Sequence, residues 1–272
     1  MIEANSYVPQ PAELLEVVVE TPSIKTLLLR PAEPMPFKAG QFTQLTLPGE
    51  GEAPFTPSSS PLEPERLAIT ILKTGAVTDS LHLVEPGQTL GLRGPFGKGY
   101  PLDKLAGKEV LVVGGGVGLA PLRALILALL ARIDDVKRLS IKYGARCMEE
   151  LLYRNEYEQW TRHPKVDFTC TIDVPQDGWS GRTGVVTDLL KGLDIDRPNA
   201  TAFVCGPSVM LKFTTFALGA EGLAPEQIYL SMNRRMSCGM GLCGRCNIGP
   251  YYLCKDGPDV NYSLIKDFPN VF

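Results

Sequence analysis

The segment Glu109-Val-Leu-Val-Val-Gly-Gly-Gly-Val-Gly-Leu-Ala-Pro-Leu122 marks the point at which the 272-residue chain changes from one fold pattern to another. A short apolar strand, Glu109 to Val113, leads through a glycine turn into an apolar helix expected from about Leu119 to Arg132. Hydropathy alone would flag residues 110–131 as a possible membrane span, since they hold a single charge. The glycines break that stretch into strand, turn and buried helix, so we expect no membrane span.

Downstream of this turn, strands and helices alternate. Four further buried strands are predicted: Leu139 to Tyr143, Val166 to Ile172, Thr201 to Cys205 and Ile228 to Ser231. We therefore expect a five-stranded parallel sheet with helices on both faces, which binds ligands beyond the carboxyl ends of its strands. Glycine follows three of the first four strands. The turn lacks the third glycine of G-x-G-x-x-G, where Leu119 stands, so we expect a nucleotide site without a standard dinucleotide grip.

Upstream, the chain consists of short β-rich segments separated by Gly/Pro turns. The predicted strands are Glu13 to Glu20, Ile24 to Arg30, Gln41 to Leu47, Leu67 to Lys73 and Thr89 to Arg93. They favour a small antiparallel barrel. A hydroxyl-rich run, residues 54–61, and a turn, residues 75–78, interrupt them; Asp79-Ser80 after the turn could start a helix with N–H groups free for an anion. By composition alone, both stretches could equally be plain loops.

Four of the seven cysteines lie close together near the end of the chain: Cys238, Cys243, Cys246 and Cys254. The first three match the C-x4-C-x2-C spacing of plant-type 2Fe–2S ligation, with a fourth ligand further along. Glycines between them supply positive φ and free backbone N–H groups. Zinc is the alternative, because Cys243-x2-Cys246 is also a zinc-knuckle spacing.

The bulk composition, 44% hydrophobic and 21% charged, is that of a soluble globular protein. A formal net charge of −3 argues against a nucleic-acid partner. No charged-then-apolar signal segment opens the sequence, so a cytoplasmic location is expected. In that compartment clustered cysteines more often bind metal than form disulfides.

Together these motifs resemble the ferredoxin–NADP reductase superfamily along nearly the whole chain. More narrowly, the chain resembles the flavin/2Fe–2S gamma (diaphorase) subunits of cytoplasmic sulfhydrogenases, the flavin subunits of anaerobic sulfite reductase, and the electron-transfer subunit of dihydroorotate dehydrogenase. The resemblance rests on the hydroxyl run, a G-x-V-[ST] turn at 75–78, a G-G-x-G-x-A-P-L turn at 115–122, a C-G-P-x-x-M motif at 205–210 and the cysteine lobe, in this order.

The resemblance implies three units: an FAD-binding β-barrel over residues 1–103, an NAD(P)-binding α/β domain over 104–232, and a 2Fe–2S lobe with a docking tail over 233–272. Thr56 and Cys205 are the expected catalytic residues, flanking flavin and nicotinamide. The expected flavin contacts are Pro54, Phe55, Thr56, Ser59, Gly75, Val77 and Thr78. The expected contacts of the nicotinamide nucleotide are Gly115, Gly116, Gly118, Ala120, Pro121, Tyr143, Arg146, Gly206, Pro207 and Met210. Tyr143 could instead be structural, and Arg146 could simply cap the sheet edge.

Two departures from the family pattern concern charge. Ala53 stands where an arginine usually pairs with the flavin phosphate, so FAD rather than FMN is inferred only from kinship. Asn233 stands where related subunits often have an acid. Arg146 and Arg154 favour tolerance of NADPH.

His82 is expected at the surface, and the tail from Lys255 to Phe272 is expected to be a docking extension.

The implied function is electron transfer between NAD(P)H and a partner oxidoreductase of hydrogenase, sulfite reductase or heterodisulfide reductase type, through FAD and a 2Fe–2S cluster. A flavin is required between the other two groups, because a nicotinamide gives a two-electron hydride and the cluster accepts one electron. The alternatives are a zinc-stabilised, non-catalytic nucleotide-binding regulator and the electron-transfer subunit of a dihydroorotate dehydrogenase.

Overall fold

The computed structural model describes residues 6–272, which form two sheets and a small C-terminal lobe. The first sheet is antiparallel and six-stranded, in the order β4-β3-β6-β1-β2-β5. Its strands are β1 (Gln10–Thr21), β2 (Ile24–Pro31), β3 (Phe42–Leu47), β4 (Gly51–Phe55), β5 (Leu67–Leu72) and β6 (Thr89–Phe96). The five strands predicted in this region are all present. The sheet accordingly forms as an antiparallel all-β unit, as predicted.

Strand β4 was not predicted, because its sequence GEAPF contains proline and no β-branched residue. It pairs with β3 on one side only, and proline is tolerated on such an edge strand. Helix α1 (Ala76–Leu81) begins directly after Gly75, three residues before the predicted start at Asp79. The Thr78 hydroxyl accepts hydrogen bonds from the backbone N–H groups of Thr74 and Gly75, each at 2.9 Å, and so holds this turn together.

The second sheet has seven strands, in the order β10-β9-β8-β7-β11-β12-β15. The five predicted parallel strands are β7 (Glu109–Gly115), β8 (Arg138–Ala145), β9 (Val166–Ile172), β11 (Ala200–Cys205) and β12 (Ile228–Ser231). Two short strands were missed: β10 (Arg182–Thr183), and β15 (Asp259–Asn261), which pairs antiparallel with β12. Two or three residues are too few to show a periodic pattern, and these strands exist only because a longer neighbour offers a free edge.

Helices α2 (Leu119–Leu130), α3 (Tyr157–Trp160) and α4 (Ser208–Ala220) flank this sheet, and a 3-10 helix, Val186–Leu190, carries the crossover from β10 to β11. Most of α2 is buried, and its side chains belong to one apolar core shared with the first sheet. That position explains its nearly uniform hydrophobicity. Among residues 6–272, no helix is long and apolar enough to cross a membrane.

The C-terminal lobe comprises β13 (Asn247–Ile248), β14 (Tyr251–Tyr252), α5 (Leu253–Asp256) and strand β15. Its tail, predicted to be a docking extension, packs against the lobe itself. Ile265 is fully buried, Phe268 packs against Gly249 and Tyr251, and Phe272 contacts Tyr262. These aromatic residues close the core of the lobe.

His82 also departs from expectation. It is 6% exposed, and its Nε2 lies 2.9 Å from the backbone oxygen of Ile71. The predicted surface position is wrong because the end of α1 packs onto β5. Local sequence patterns do not predict a contact between these two elements.

Candidate functional site

A large cleft of about 1440 Å³ lies between the first sheet and the carboxyl ends of the second. Most of the predicted flavin and nucleotide residues line it. They are Pro54, Phe55, Thr56, Thr78, Gly115, Gly116, Gly118, Ala120, Pro121, Arg146, Cys205, Gly206, Pro207 and Met210. The fold therefore brings together motifs that are up to about 150 residues apart in sequence, and the space is that of a site for more than one small ligand.

The glycine turn lets its own backbone pack closely against the Cys205–Gly206 backbone and the Met210 side chain at the floor of the cleft. A Cβ on Gly118 would lie 2.4 Å from the carbonyl oxygen of Cys205, and one on Gly115 would lie 2.2 Å from the sulfur of Met210. Gly116 has φ +53°, a left-handed conformation that glycine adopts without strain. The turn thus presents bare backbone to the cleft, which is the arrangement needed for close approach to a pyrophosphate.

Tyr143 lies behind this turn and not in the cleft. Its side chain is fully buried, and its hydroxyl donates to the carbonyl of Gly116 at 3.2 Å and accepts from the N–H of Leu152 at 3.2 Å. Burial raises the pKa of the phenol well above its usual value. Tyr143 therefore supports the turn, which is the structural alternative left open by the sequence.

Three predicted flavin residues also lie outside the cleft lining. Ser59 is buried, and its hydroxyl accepts from the N–H of Ala68 at 3.0 Å. Gly75 and Val77 shape the turn before and within α1, whereas Thr78 alone of that turn reaches the cleft. Thr56, by contrast, lines the cleft with a hydroxyl that makes no hydrogen bond within residues 6–272, so it is available to a ligand.

The two sheets are joined beside the cleft by Arg123, which sequence reasoning passed over. Its guanidinium donates to the carbonyl of Ser58 at 2.6 Å, pairs with Glu156 at 2.9 Å and lies 5.0 Å from the ring centre of Tyr153. The Tyr153 hydroxyl in turn lies 2.7 Å from that of Thr70 in β5. The available signal was a lone charge in an otherwise apolar helix.

Beneath the cleft, a buried polar chain connects all three regions. The Tyr100 hydroxyl lies 2.9 Å from that of Ser231, which donates to the carboxyl of Asp259 in β15. Asp259 is 8% exposed, and its Oδ2 has no hydrogen-bond partner within the described residues. Burial raises the pKa of Asp259 to about 7, and it raises the pKa of the neighbouring Cys205 thiol to about 12. Cys205 is accordingly a neutral thiol at the edge of the cleft.

At the other end of the cleft lies Arg146, which was predicted to contact the nicotinamide nucleotide and which already forms an ion pair. The Arg146 guanidinium pairs with the carboxylate of Glu150, with Nε 2.8 Å from Oε2. Glu150 and Asp173 both line this end of the cleft. Arg146 thus reaches the predicted place, but as half of an ion pair.

The cysteine lobe provides a nest of backbone N–H groups around sulfur. Gly241 N–H lies 3.0 Å from Sγ of Cys254, Leu242 N–H lies 3.3 Å from Sγ of Cys238, and the sulfurs of Cys246 and Cys254 are 3.4 Å apart. Burial opposes ionisation of Cys238, yet hydrogen bonds from neighbouring backbone N–H groups lower the pKa of its thiol to about 6. A soft thiolate at Cys238, stabilised by N–H donors, fits an iron–sulfur cluster, which would be held by the four predicted cysteines.

Next to this lobe, Arg93 of β6 is a buried cation. It forms an ion pair with Glu52 and donates to the carbonyl of Cys238 at 3.4 Å. Burial opposes the charge of Glu52, but hydrogen bonds from Arg93 and Thr46 lower the pKa of the carboxyl. Ala53, next to Glu52, stands where the flavin motif usually has an arginine. Arg93 does not replace that arginine, because its charge is already paired with Glu52.

Two family models match the chain. The first, described as an oxidoreductase NAD-binding domain, covers residues 112–215. The second, described as the iron–sulfur cluster binding domain of dihydroorotate dehydrogenase B, covers residues 233–266. The nucleotide region and the cysteine lobe are thus recognised separately, and the second match overturns the zinc alternative.

Whole-length relatives agree with both. The gamma subunit of sulfhydrogenase 2 from Pyrococcus furiosus is 34% identical over 95% of this chain and 96% of its own length. A probable electron-transfer subunit of dihydroorotate dehydrogenase B (NAD(+)) from Methanocella arvoryzae is 32% identical over 92% of this chain and 89% of its own. The solved NADH-dependent reduced ferredoxin–NADP oxidoreductase has a TM-score of 0.75 at 25% identity, over 94% of this chain and 91% of that one.

The fold and site define a ferredoxin reductase-like oxidoreductase with an added iron–sulfur lobe. The chain belongs to the family of electron-transfer subunits that includes the sulfhydrogenase gamma subunits and the dihydroorotate dehydrogenase B electron-transfer subunits. It is an NAD(P)H-linked electron-transfer protein of the kind that works within multi-subunit enzymes. The fold, the function class and the cofactor set of NAD(P), FAD and a 2Fe–2S cluster predicted from sequence are confirmed.

Proposed function

We propose that this chain passes electrons between NAD(P)H and a separate hydrogenase-type oxidoreductase subunit. The observation that carries the proposal is the position of the 1440 Å³ cleft, which is lined by Phe55 and Thr56 on one side, by the glycine turn on another, and by Met236 at the entrance to the cysteine lobe. A flavin bound here would supply both hydride and single-electron chemistry, which suits a site between a nucleotide turn and a cluster.

Each group of residues has a distinct part in this arrangement. Phe55 supplies an apolar face for a flavin ring, and Thr56 offers its free hydroxyl to a ring nitrogen. The turn at Gly115 to Gly118 binds the pyrophosphate of the nicotinamide nucleotide through backbone N–H groups. Cys205, held as a neutral thiol, flanks the nicotinamide ring without carrying a competing charge. Cys238, Cys243, Cys246 and Cys254 hold the cluster.

Two partner enzymes are supported. The sulfhydrogenase gamma subunits match over the whole chain, which favours a hydrogenase-type partner. The match of the cysteine lobe to the dihydroorotate dehydrogenase B domain supports a dihydroorotate dehydrogenase as the second candidate. A cytoplasmic location stays a prediction.

Purification of the native complex tests the proposal. We expect one FAD and one 2Fe–2S cluster per chain, bleaching of the flavin near 450 nm on addition of NADH or NADPH, and a hydrogenase-type catalytic subunit in the complex. A complex that contains a dihydroorotate-oxidising subunit would select the second candidate. A pure chain that yields no flavin on denaturing extraction would contradict both.

A further inference from the structure

The four cysteines of the lobe differ sharply in exposure. Cys246 and Cys254 are each 1% exposed and lie in the core that β12, β15 and the C-terminal tail share. Cys243 is exposed, and Leu242 beside it leaves 70% of its surface in water. Electron transfer between proteins slows steeply with distance, so a partner exchanges electrons fastest where it comes closest to the cluster. That place is over Cys243, the exposed cysteine of the four.

Positive charge surrounds this exposed side. Residues 233–254 contain three arginines and no aspartate or glutamate, although the whole chain has a net charge of −3. Arg234 donates to the carbonyls of Asn270 and Val271. Arg235 and Arg245 are exposed, form no ion pair or hydrogen bond within residues 6–272, and line a common hollow of about 520 Å³.

The acid that lines this hollow does not neutralise these charges. Glu52 lines the same hollow, but its carboxylate is paired with Arg93 at 2.5 Å. The exposed surface formed by Arg235, Leu242, Cys243 and Arg245, hereafter the cluster edge, therefore combines two unpaired cations with one apolar side chain next to a ligand of the cluster.

We propose that the cluster edge is the docking surface for the redox partner, and that the partner presents an acidic face with an apolar recess for Leu242. The inference rests on the proposed function only in that the cluster exchanges electrons with another protein. Complementary charge accelerates encounter and fixes orientation, and it does so most strongly at low ionic strength. A second copy of this chain, whose residues outside 233–254 carry more acidic than basic side chains, is the competing occupant.

Two purified acceptors serve as probes of the holoprotein: a plant-type ferredoxin, which is acidic, and mitochondrial cytochrome c, which is basic. After reduction with NADH, stopped-flow mixing gives the rate constant for each acceptor. In Arg245→Glu and Arg235→Glu we expect ferredoxin reduction to slow by about tenfold or more at low salt, with the difference shrinking at high salt. Cytochrome c reduction should not slow, and Arg66→Glu, an exposed reversal far from the lobe, should match the wild type.

A second readout does not depend on turnover. The affinity of ferredoxin for the oxidised holoprotein, measured by calorimetry, should fall in Arg245→Glu by about the same factor as the reduction rate. In Leu242→Ser the affinity should fall by the same factor at low and at high salt. Equal losses in Arg245→Glu and Arg66→Glu, or ferredoxin reduction that does not respond to salt, would overturn the proposal. So would self-association in sedimentation that Arg245→Glu abolishes, because the occupant would then be a second copy.

The electron-transfer function and the docking surface can be tested separately. Absence of flavin bleaching by both NADH and NADPH would refute the proposed function. Protein reduced with dithionite then tests the docking surface alone, with the same variants and the same expected order of rates.

Discussion

Two glycine-rich loops, residues 114–118 at the nucleotide turn and residues 239–244 in the cysteine lobe, each contain a glycine that is required for a different physical reason. At the turn, Gly118 has φ −62°, which any residue adopts, but it has no room for a Cβ because the carbonyl of Cys205 is 2.4 Å away. In the lobe, Gly244 has open space around it, but its φ is +73°. Gly118 is therefore required for space, whereas Gly244 is required for backbone conformation.

The difference shows how each loop responds to change. A glycine with no room for a Cβ is in contact with the neighbouring strand, so a larger residue at its position displaces that strand. A loop that needs a left-handed conformation is strained only locally. Substitution of Gly118 should therefore impair nucleotide binding and stability together, whereas substitution of Gly244 should affect the cluster alone.

The largest effect is expected for Cys246→Ser, which removes a buried ligand from the lobe and leaves the turn untouched. Serine oxygen is a poor substitute for thiolate, so the cluster should be lost and electron transfer to the partner should fall by orders of magnitude. NAD(P)H should still bleach the flavin in a stopped-flow trace. Retained flavin and retained bleaching exclude misfolding; wild-type transfer to the partner without a cluster would show that the cluster is only structural.

Gly118→Ala is the matching test at the turn. The added methyl group would meet the Cys205 carbonyl and Gly206 Cα, both backbone atoms that cannot rotate away. We expect a stability loss of about 1–3 kcal/mol and a decrease in kcat/KM for NAD(P)H on the order of 10–100-fold. The visible spectrum of the cluster should not change.

The control for this variant is Gly219→Ala in α4, where a Cβ meets nothing within 4 Å. Alanine is the better helix former, so this change should leave activity unaltered and stability unchanged or slightly higher. Similar losses in both variants would mean that the packing argument for Gly118 is wrong.

Asp259→Asn examines the point where β15 of the lobe meets the nucleotide sheet. The folded-state pKa of about 7 lies above the ordinary value of 3.8, so between these values the folded protein holds a proton that the unfolded chain has released. Stability should therefore fall as the pH rises through this window, by about 1.4 kcal/mol per pH unit at most, and level off above pH 7.

In the variant this decrease should disappear. Melting temperatures of wild-type and Asp259→Asn holoprotein from pH 4.5 to 8.5 provide the measurement, with the variant gaining relative to the wild type as the pH rises. Parallel pH profiles for the two proteins would show that the Asp259 carboxyl is solvated or paired in a way that the folded structure does not indicate.

The smallest effect is expected for Gly244→Ala. The left-handed conformation costs a non-glycine residue about 1–2 kcal/mol, and there is no clash to add to it. We expect a few-fold faster loss of the cluster absorbance in the presence of a chelator, with normal NAD(P)H kinetics. Gly244→Asn should lose less, because asparagine tolerates this conformation better; equal losses in the two variants would contradict the conformational argument.

Local patterns were sufficient for the long elements and for the presence of an iron–sulfur binding domain. Strands such as Val166–Ile172 carry enough apolar residues to be recognised alone, and four cysteines at fixed spacing limit the possible metal chemistry. Short elements that depend on a neighbour were missed, as in β15, and so was the burial of His82. The network of contacts around Arg123 could not be derived either, because its partners Ser58 and Glu156 are distant in sequence.

The sequence by itself determined which chemistries this chain carries: a nucleotide turn, a flavin motif and an iron–sulfur ligand set, each encoded by residues close together in the chain. Only the tertiary structure decided how they are used. It placed Tyr143 behind the turn, paired Arg146 with Glu150, buried Asp259 beneath Cys205 and left Cys243 exposed. The physical reason is that motifs depend on local spacing, whereas burial and charge pairing depend on segments that meet only in the folded chain.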